Sequence, residues 1–348
     1  SGTMVRERSL RAPRPMNVLF LLALALSSAA LAQDSSPAPK PSGPDASSGA
    51  TIRANVREVL VPVTVTDSKG KFIDGLSASD FVLYDDGAPQ RQLQVDTSDT
   101  VLAPVALVIA IQCSGISEAA LEKIHKVGGM FEPLISGEKG EAAVIAYDDD
   151  VRLIQDFTRD SSNIGRAFES VEGRTIKIGR MLDAVTTAAE MLSKTPASYR
   201  RLLLILGESR DRGSQAKLDQ AIEAVQRANV TVYPITYSAQ GTAWTASSGD
   251  TVPLPIEPDY TGAVVELMRM STRNAADEFA KWTGGRHLSF ERLQGLQDAV
   301  SRLSGEVHSQ YLLSFEPAPS NNAGLHRIIV RVRKPKGAVV RARPAYWP

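Results

Sequence analysis

The segment Ile111-Gln112-Cys113-Ser114-Gly115-Ile116-Ser117 sets an amide, a thiol and two hydroxyls directly behind the apolar run Val105-Ala106-Leu107-Val108-Ile109-Ala110. A thiolate beside an imidazole is a nucleophile, so a thiol-dependent enzyme at Cys113 is one reading of this stretch. Against it, His125, His287, His308 and His326 are scattered along the chain, with no Cys–His spacing that forms a dyad and none that forms a zinc motif. A lone Cys at the end of an apolar strand is expected to pack as a small residue. Asp148, Asp149 and Asp150 offer three successive carboxylates, readable as a cation site or as a turn between strands. The turn is favoured, because Asp side chains hydrogen-bond their own backbone there. No Gly-x-Ser-x-Gly elbow and no phosphate-cradling glycine loop is present, so catalysis is not expected.

The elements that hold these residues follow from hydrophobic period. Val59, Val61, Val63 and Val65 alternate with Leu60, Pro62, Thr64 and Thr66, and turn signals stand at Ser68-Lys69-Gly70 and Asp85-Asp86-Gly87. Alternation at period two predicts antiparallel strands, and Pro62, which lacks a ladder donor, predicts an edge strand. From residue 105 the pattern changes to short apolar strands separated by amphipathic helices. VALVIAI, EAAVIAY, RLLLIL and TVYPITYS read as strands. SEAALEKIHKVGGMFEPL (N-capped by Ser117), SSNIGRAFESV, MLDAVTTAAEMLSKT, LDQAIEAVQRAN, VVELMRMSTRNAADEFAKWTGG and a segment from Leu293 to Leu303 read as helices. This order predicts an α/β fold: a doubly wound, mostly parallel sheet with helices on both faces. The tail returns to alternation in QYLLSFEP, LHRIIVRVRK and AVVRARPAYW, and is expected to pair with residues 56–98 in one small antiparallel β-module. Ligands of open parallel sheets bind beyond the carboxyl ends of the strands. The residues after Ile111, the loop Gly207-Glu208-Ser209-Arg210-Asp211, and the loop Glu172-Gly173-Arg174-Thr175-Ile176 are all expected there.

The apolar strand ending in Ser114-Gly115, the Gly173-x-Thr175 loop ahead of a helix, and the apolar strand followed by an acidic turn resemble, in that order, a von Willebrand factor A-type domain. The flanks VLVPVTVTDSKGKFIDGLSASDFVLYDDGAPQ, YDDDVRLIQDFT and YLLSFEP resemble, more narrowly, the acidobacterial proteins named for a von Willebrand factor A-related domain, over roughly residues 56–348. Domains of this type carry a metal-ion-dependent adhesion site built on Asp-x-Ser-x-Ser, a Thr and a further Asp. Laid on this sequence, those positions fall on Gln112, Ser114, Ile116, Thr175 and Glu208. Mg²⁺ requires near-octahedral oxygen ligands, some of them carboxylate. Gln112 supplies a neutral amide, Ile116 removes a hydroxyl, and Glu208 is a methylene too long for tight Mg²⁺ distances. The resemblance therefore implies a degenerate metal site and no cofactor. Ser114, Thr175 and Glu208 are the ligands that would remain if Mg²⁺ still bound.

Composition places the chain among soluble globular proteins, with 43% hydrophobic and 22% charged residues, and 39 basic against 39 acidic side chains give no sign of a nucleic-acid partner. Arg6, Arg8, Arg11 and Arg14 precede the apolar run Val18 to Leu26 and the small residues ending Ala30-Leu31-Ala32, the pattern of a signal peptide too short to span a membrane. Cleavage near Ala32 would remove four Arg and one Glu, leaving 35 basic against 38 acidic residues in a secreted or periplasmic protein. The expected organisation is a signal peptide at 1–32, a Pro/Ser/Ala/Gly linker at 33–50, a β-segment at 51–100, the A-type domain at 101–304 and a second β-segment at 305–348. With Cys113 alone, no disulfide can form within the chain. Trp282 is expected in the core, and Trp244, in the Gly/Ser/Pro-rich insertion 239–262, on a contact surface. Arg327, Arg331, Arg333, Lys334, Lys336, Arg341 and Arg343 make the tail basic, suited either to an anionic surface or to a solvated strand face. The function expected is an exported, non-catalytic protein-binding or adhesion module whose partner is a protein or envelope component. A cation-dependent adhesion domain with weak Mg²⁺ binding and a structural envelope scaffold are the alternatives.

Overall fold

Eight successive buried residues, Val105–Gln112, leave no polar face, and such a strand is stable only in the middle of a sheet covered on both sides. In the computed structural model this strand, β5, lies between β6 (Glu141–Tyr147) and β8 (Arg200–Gly207), parallel to both. The described residues are 58–96, 104–114, 118–132, 140–176, 178–237, 274–290, 293–317 and 324–347. All belong to the second of two compact units, Ala54–Pro348. The segments 1–32 and 33–50, Ile116, Ser117, and the insertion 239–262 with Trp244 lie outside them.

The central sheet adds β9 (Val230–Tyr237), β10 (Leu288–Phe290) and β7 (Val151–Thr158), in the order β10-β9-β8-β5-β6-β7. Only β7 runs antiparallel, joined to β6 by the turn at Asp148-Asp149-Asp150. Strand order reverses between β5 and β8, so the crevice beyond their carboxyl ends is the switch point of a doubly wound sheet. Helices α1 (Glu118–His125), α2 (Ser161–Glu169) and α6 (Leu293–His308) cover the face of Leu107, Ile109 and Ile111. Helices α3 (Met181–Ser193), α4 (Leu218–Arg227) and α5 (Ala275–Thr283) cover the face of Ala106, Val108 and Ala110, with Trp282 buried among them.

The chain flanks form two four-stranded sheets. β1 (Val59–Thr66) lies between β11 (Tyr311–Phe315) and β13 (Val339–Ala342), with β4 (Gln94–Asp96) beyond β11. β2 (Phe81–Asp85) pairs with β12 (His326–Val332), flanked by β3 (Ala88–Pro89) and β14 (Ala345–Tyr346). Val61, Val63, Leu83, Leu313, Phe315 and Tyr346 fill the space between the sheets. An N-terminal strand is thus paired with a C-terminal one in each sheet, which is the β-module expected from the flanks.

Three expectations need correction. β1 is an inner strand, yet β13 covers only Val63–Thr66, so Pro62 faces no ladder partner on that side and its missing N–H costs little. The first helix stops at His125 and gives way to a 3₁₀ turn at Gly128–Phe131. Gly128 packs so close to Phe168 that a Cβ would stand 3.0 Å from that side chain. Of the helix read from Val264 onward, the part before Asn274 lies outside the described residues; within them a helix starts at Ala275, where Asn274, in extended conformation, caps it by accepting the Asp277 N–H. The last helix, read from Leu293 to Leu303, runs on to His308.

Candidate functional site

β5 delivers Gln112 to the switch point fully inside the protein, at 2% exposure. Its side-chain amide joins two loops. Nε2 donates to the Ser114 carbonyl at 2.9 Å, and Oε1 accepts the Glu208 backbone N–H, beyond β8, at 2.7 Å. The Tyr147 hydroxyl, from the end of β6, also points at Oε1, at 3.4 Å. Two glycines make room for this amide. A Cβ on Gly207 would stand 2.5 Å from the Tyr147 hydroxyl and 2.6 Å from Gln112 Oε1, and one on Gly179 would stand 2.8 Å from Nε2. Burial pushes the Tyr147 hydroxyl well above the usual phenol range, keeping it neutral and able to donate.

The loop before α3 is laced to its neighbours through the backbone. Arg174 N–H donates to the Cys113 carbonyl at 2.8 Å, and Gly179 and Arg212 exchange N–H···O bonds of 2.9 Å each. Arg180 N–H donates to the Asp148 carbonyl at 2.9 Å. The three loops anticipated at the strand ends therefore do meet, with Gln112, Ser114 and Glu208 together at their centre. Thr175 is exposed at the rim, next to the anchored Arg174. The Glu208 carboxylate is engaged by Arg212, 3.1 Å from Oε2. Ser114 Oγ, fully buried, has no hydrogen-bond partner.

Asp148 does more than turn the chain. Its carboxylate has no exposed surface and accepts both terminal nitrogens of Arg152, at 2.8 and 2.7 Å, with Arg174 3.2 Å away. Burial alone would raise the acid, but the hydrogen bonds from Arg152, from the Asp149 side and from the Asp150 N–H outweigh it and hold Asp148 well below the usual carboxylate range. These carboxylate oxygens are occupied by guanidinium groups. Arg174 reaches Asp149 as well, at 2.9 Å.

The Cys113 sulfur is 1% exposed and directed at the Ile111 carbonyl, 3.6 Å away. Burial pushes its thiol up to about 11. His287 stands between Asp277, which is bonded to Nδ1, and the Thr236 hydroxyl, 2.7 Å from Nε2. That order of groups resembles a hydrolase triad, but the Thr236 residue is 5% exposed, and the arrangement ties the first turn of α5 to β9. Neither this tie nor the Gln112 bridge was visible in sequence, since each joins residues far apart in the chain. Gly179 was missed for the same reason, and Gly207, although expected at the strand end, was not read as the residue that makes room for the amide.

No protein-family model and no curated protein matches the chain. Among solved structures it is similar to an aerotolerance-related membrane protein from Bacteroides fragilis, at 18% identity over 58% of this chain and 98% of that one, with a TM-score of 0.39. It is similar to the conserved hypothetical protein BatB from Bacteroides thetaiotaomicron at 14% identity, covering 58% and 99% of the two chains, with a TM-score of 0.38. The von Willebrand factor domain of the type V pilus tip protein from Porphyromonas gingivalis shares 10% identity over 60% and 96%, with a TM-score of 0.39. The strand order of the six-stranded sheet and its single antiparallel edge strand make this part of the chain a doubly wound, mostly parallel α/β fold.

Proposed function

We propose that the chain is an exported, non-catalytic protein-binding module in which the loops at the sheet's switch point hold one another, and meet a partner, without a cation. The observation that carries this reading is the Gln112 amide, which links Ser114 and Glu208 across the crevice where a von Willebrand factor A-type domain would hold Mg²⁺. A cation needs free oxygen lone pairs. Gln112 Oε1 accepts an N–H, Glu208 Oε2 faces Arg212, and both oxygens of the Asp148 carboxylate accept from Arg152. Ser114 Oγ is the remaining donor of the expected set that is both buried and unengaged, and one hydroxyl does not make an octahedral site. These residues do not fit the ion.

Export is supported by the charged and apolar pattern of residues 6–32, and among the described residues no helix is long and apolar enough to cross a membrane. The non-catalytic reading rests on Cys113, whose buried, protonated thiol is a poor nucleophile. Alkylation should therefore be slow near neutral pH and accelerate only on denaturation; reaction faster than that of a free thiol would restore the enzyme reading. Calorimetric titration with Mg²⁺ and Ca²⁺ should give no saturable heat. Saturable Mg²⁺ binding that disappears in Glu208→Ala would overturn the cation-free reading. Adsorption to an envelope fraction is expected to be the same with Mg²⁺ or chelator present.

A further inference from the structure

The β-module carries a second cluster of ligand-type side chains. β2 ends at Asp85, and the chain reverses through Asp86 (φ 47°) and Gly87 (φ 82°) into β3, the two-residue turn that left-handed backbone allows. This turn meets the start of β12. Asp86 Oδ2 lies 2.9 Å and Asp85 Oδ1 3.7 Å from His326 Nδ1, and one ligand-type atom from each of the three residues lies within 4.8 Å of the others. Each carboxylate is oriented by its other oxygen: Asp85 Oδ2 accepts the Tyr346 hydroxyl at 3.0 Å, and Asp86 Oδ1 accepts the Arg327 N–H at 2.8 Å. Outer partners of this kind characterise metal ligands. Asp85 is 7% exposed, and its Oδ1, directed into the cluster, has no hydrogen-bond partner. A buried carboxylate oxygen with nothing to accept is costly, and a cation removes that cost.

We propose that Asp85 Oδ1, Asp86 Oδ2 and His326 Nδ1 form a three-ligand site for a divalent transition-metal ion, with Zn²⁺ the best fit. Bonds of about 2.0–2.1 Å at tetrahedral angles place ligand atoms about 3.3 Å apart, between the two separations seen here. Two carboxylates and one imidazole suit Zn²⁺ better than Mg²⁺ or Ca²⁺, which prefer oxygen alone. The ion takes the place of the proton on Nδ1, leaving the neutral ring's proton on Nε2, and the two carboxylates balance its charge. Water completes the coordination from the Asp86 side, whose side chain is 32% exposed. Bound there, the ion pins the β2–β3 turn to β12, a staple in a chain whose single Cys allows no internal disulfide.

The test is titration of the intact, chelator-stripped chain with Zn²⁺, followed by calorimetry and by thermal melting. One equivalent should bind and raise Tm by several degrees, and excess Mg²⁺ should leave that affinity unchanged. Asp86→Asn retains the turn, since Asn also adopts left-handed backbone, and retains an acceptor for the Arg327 N–H. It should lose at least tenfold in zinc affinity, with its own Tm in chelator as the baseline because the substitution also alters the Asp86–His326 contact, and His326→Gln should lose as much. His287→Ala, which removes the histidine near the α/β sheet, should bind zinc like the parent. No saturable zinc binding, or binding that survives both Asp86→Asn and His326→Gln, would overturn the site.

Discussion

Gln112 shows how a side chain can take over a bridging task from an ion. Its amide offers one donor and one acceptor, and the crevice supplies one carbonyl and one N–H at 2.9 and 2.7 Å. Gln112→Leu keeps the volume but leaves both backbone groups buried and unpaired, and should cost about 2–3 kcal/mol in a urea melt. Gly207→Ala would thrust a methyl to 2.5 Å from the Tyr147 hydroxyl, and should lose about 1–3 kcal/mol through overpacking. Position 112 was legible in the sequence because the apolar run stops there and the following Ser-Gly matches a known loop pattern. Its neighbours Ser114 and Glu208 were legible as site positions, but the way they bond to it was not, because both contribute backbone groups and the two glycines contribute only space.

Elements, by contrast, were largely readable, because burial on both faces leaves a continuous apolar run and burial on one face leaves a period. Where reading failed, a tertiary contact overrode the period: Phe168 against Gly128 ends a helix, and partial coverage by β13 lets Pro62 sit in an inner strand. The β6–β7 turn was recognised, but its load was not. Asp148 and Arg152 stand four apart, which suggests nothing in a hairpin until the turn folds them together. Because the folded-state Asp148 is held below the ordinary aspartate value of about 3.9, its contribution to stability is complete above that pH and is lost as pH falls below it. The acid limb of the stability curve should therefore be shallower in Asp148→Asn, which should also cost about 2–3 kcal/mol at neutral pH.

For the molecule as a whole, a buried polar network lies where the β-module meets the α/β core, beside apolar contacts such as Ala345. Glu306, 3% exposed on α6, accepts Arg286 at 2.9 Å and also pairs with Arg341, while Arg200 donates to the Val307 carbonyl and to Gln310 at 2.7 and 2.6 Å. Arg343 is fully enclosed, bonded to the Ala345 carbonyl at 3.0 Å and to Asn229, and burial pushes it down to about 10. Two of the seven tail cations counted as surface charge, Arg341 and Arg343, thus serve the interior, which composition cannot reveal. Glu306→Ala strands Arg286 and Arg341 and should cost about 3–5 kcal/mol, read as an earlier unfolding transition. Whether the switch point works without a cation is tested most directly at Gln112 itself, by following its side-chain amide resonances in nitrogen-edited NMR, assigned through their loss in Gln112→Leu. Slow exchange with solvent and resonances unmoved by millimolar Mg²⁺ are the predicted result. A saturable Mg²⁺-dependent shift of that amide, with faster exchange as Oε1 leaves the Glu208 N–H, would contradict it.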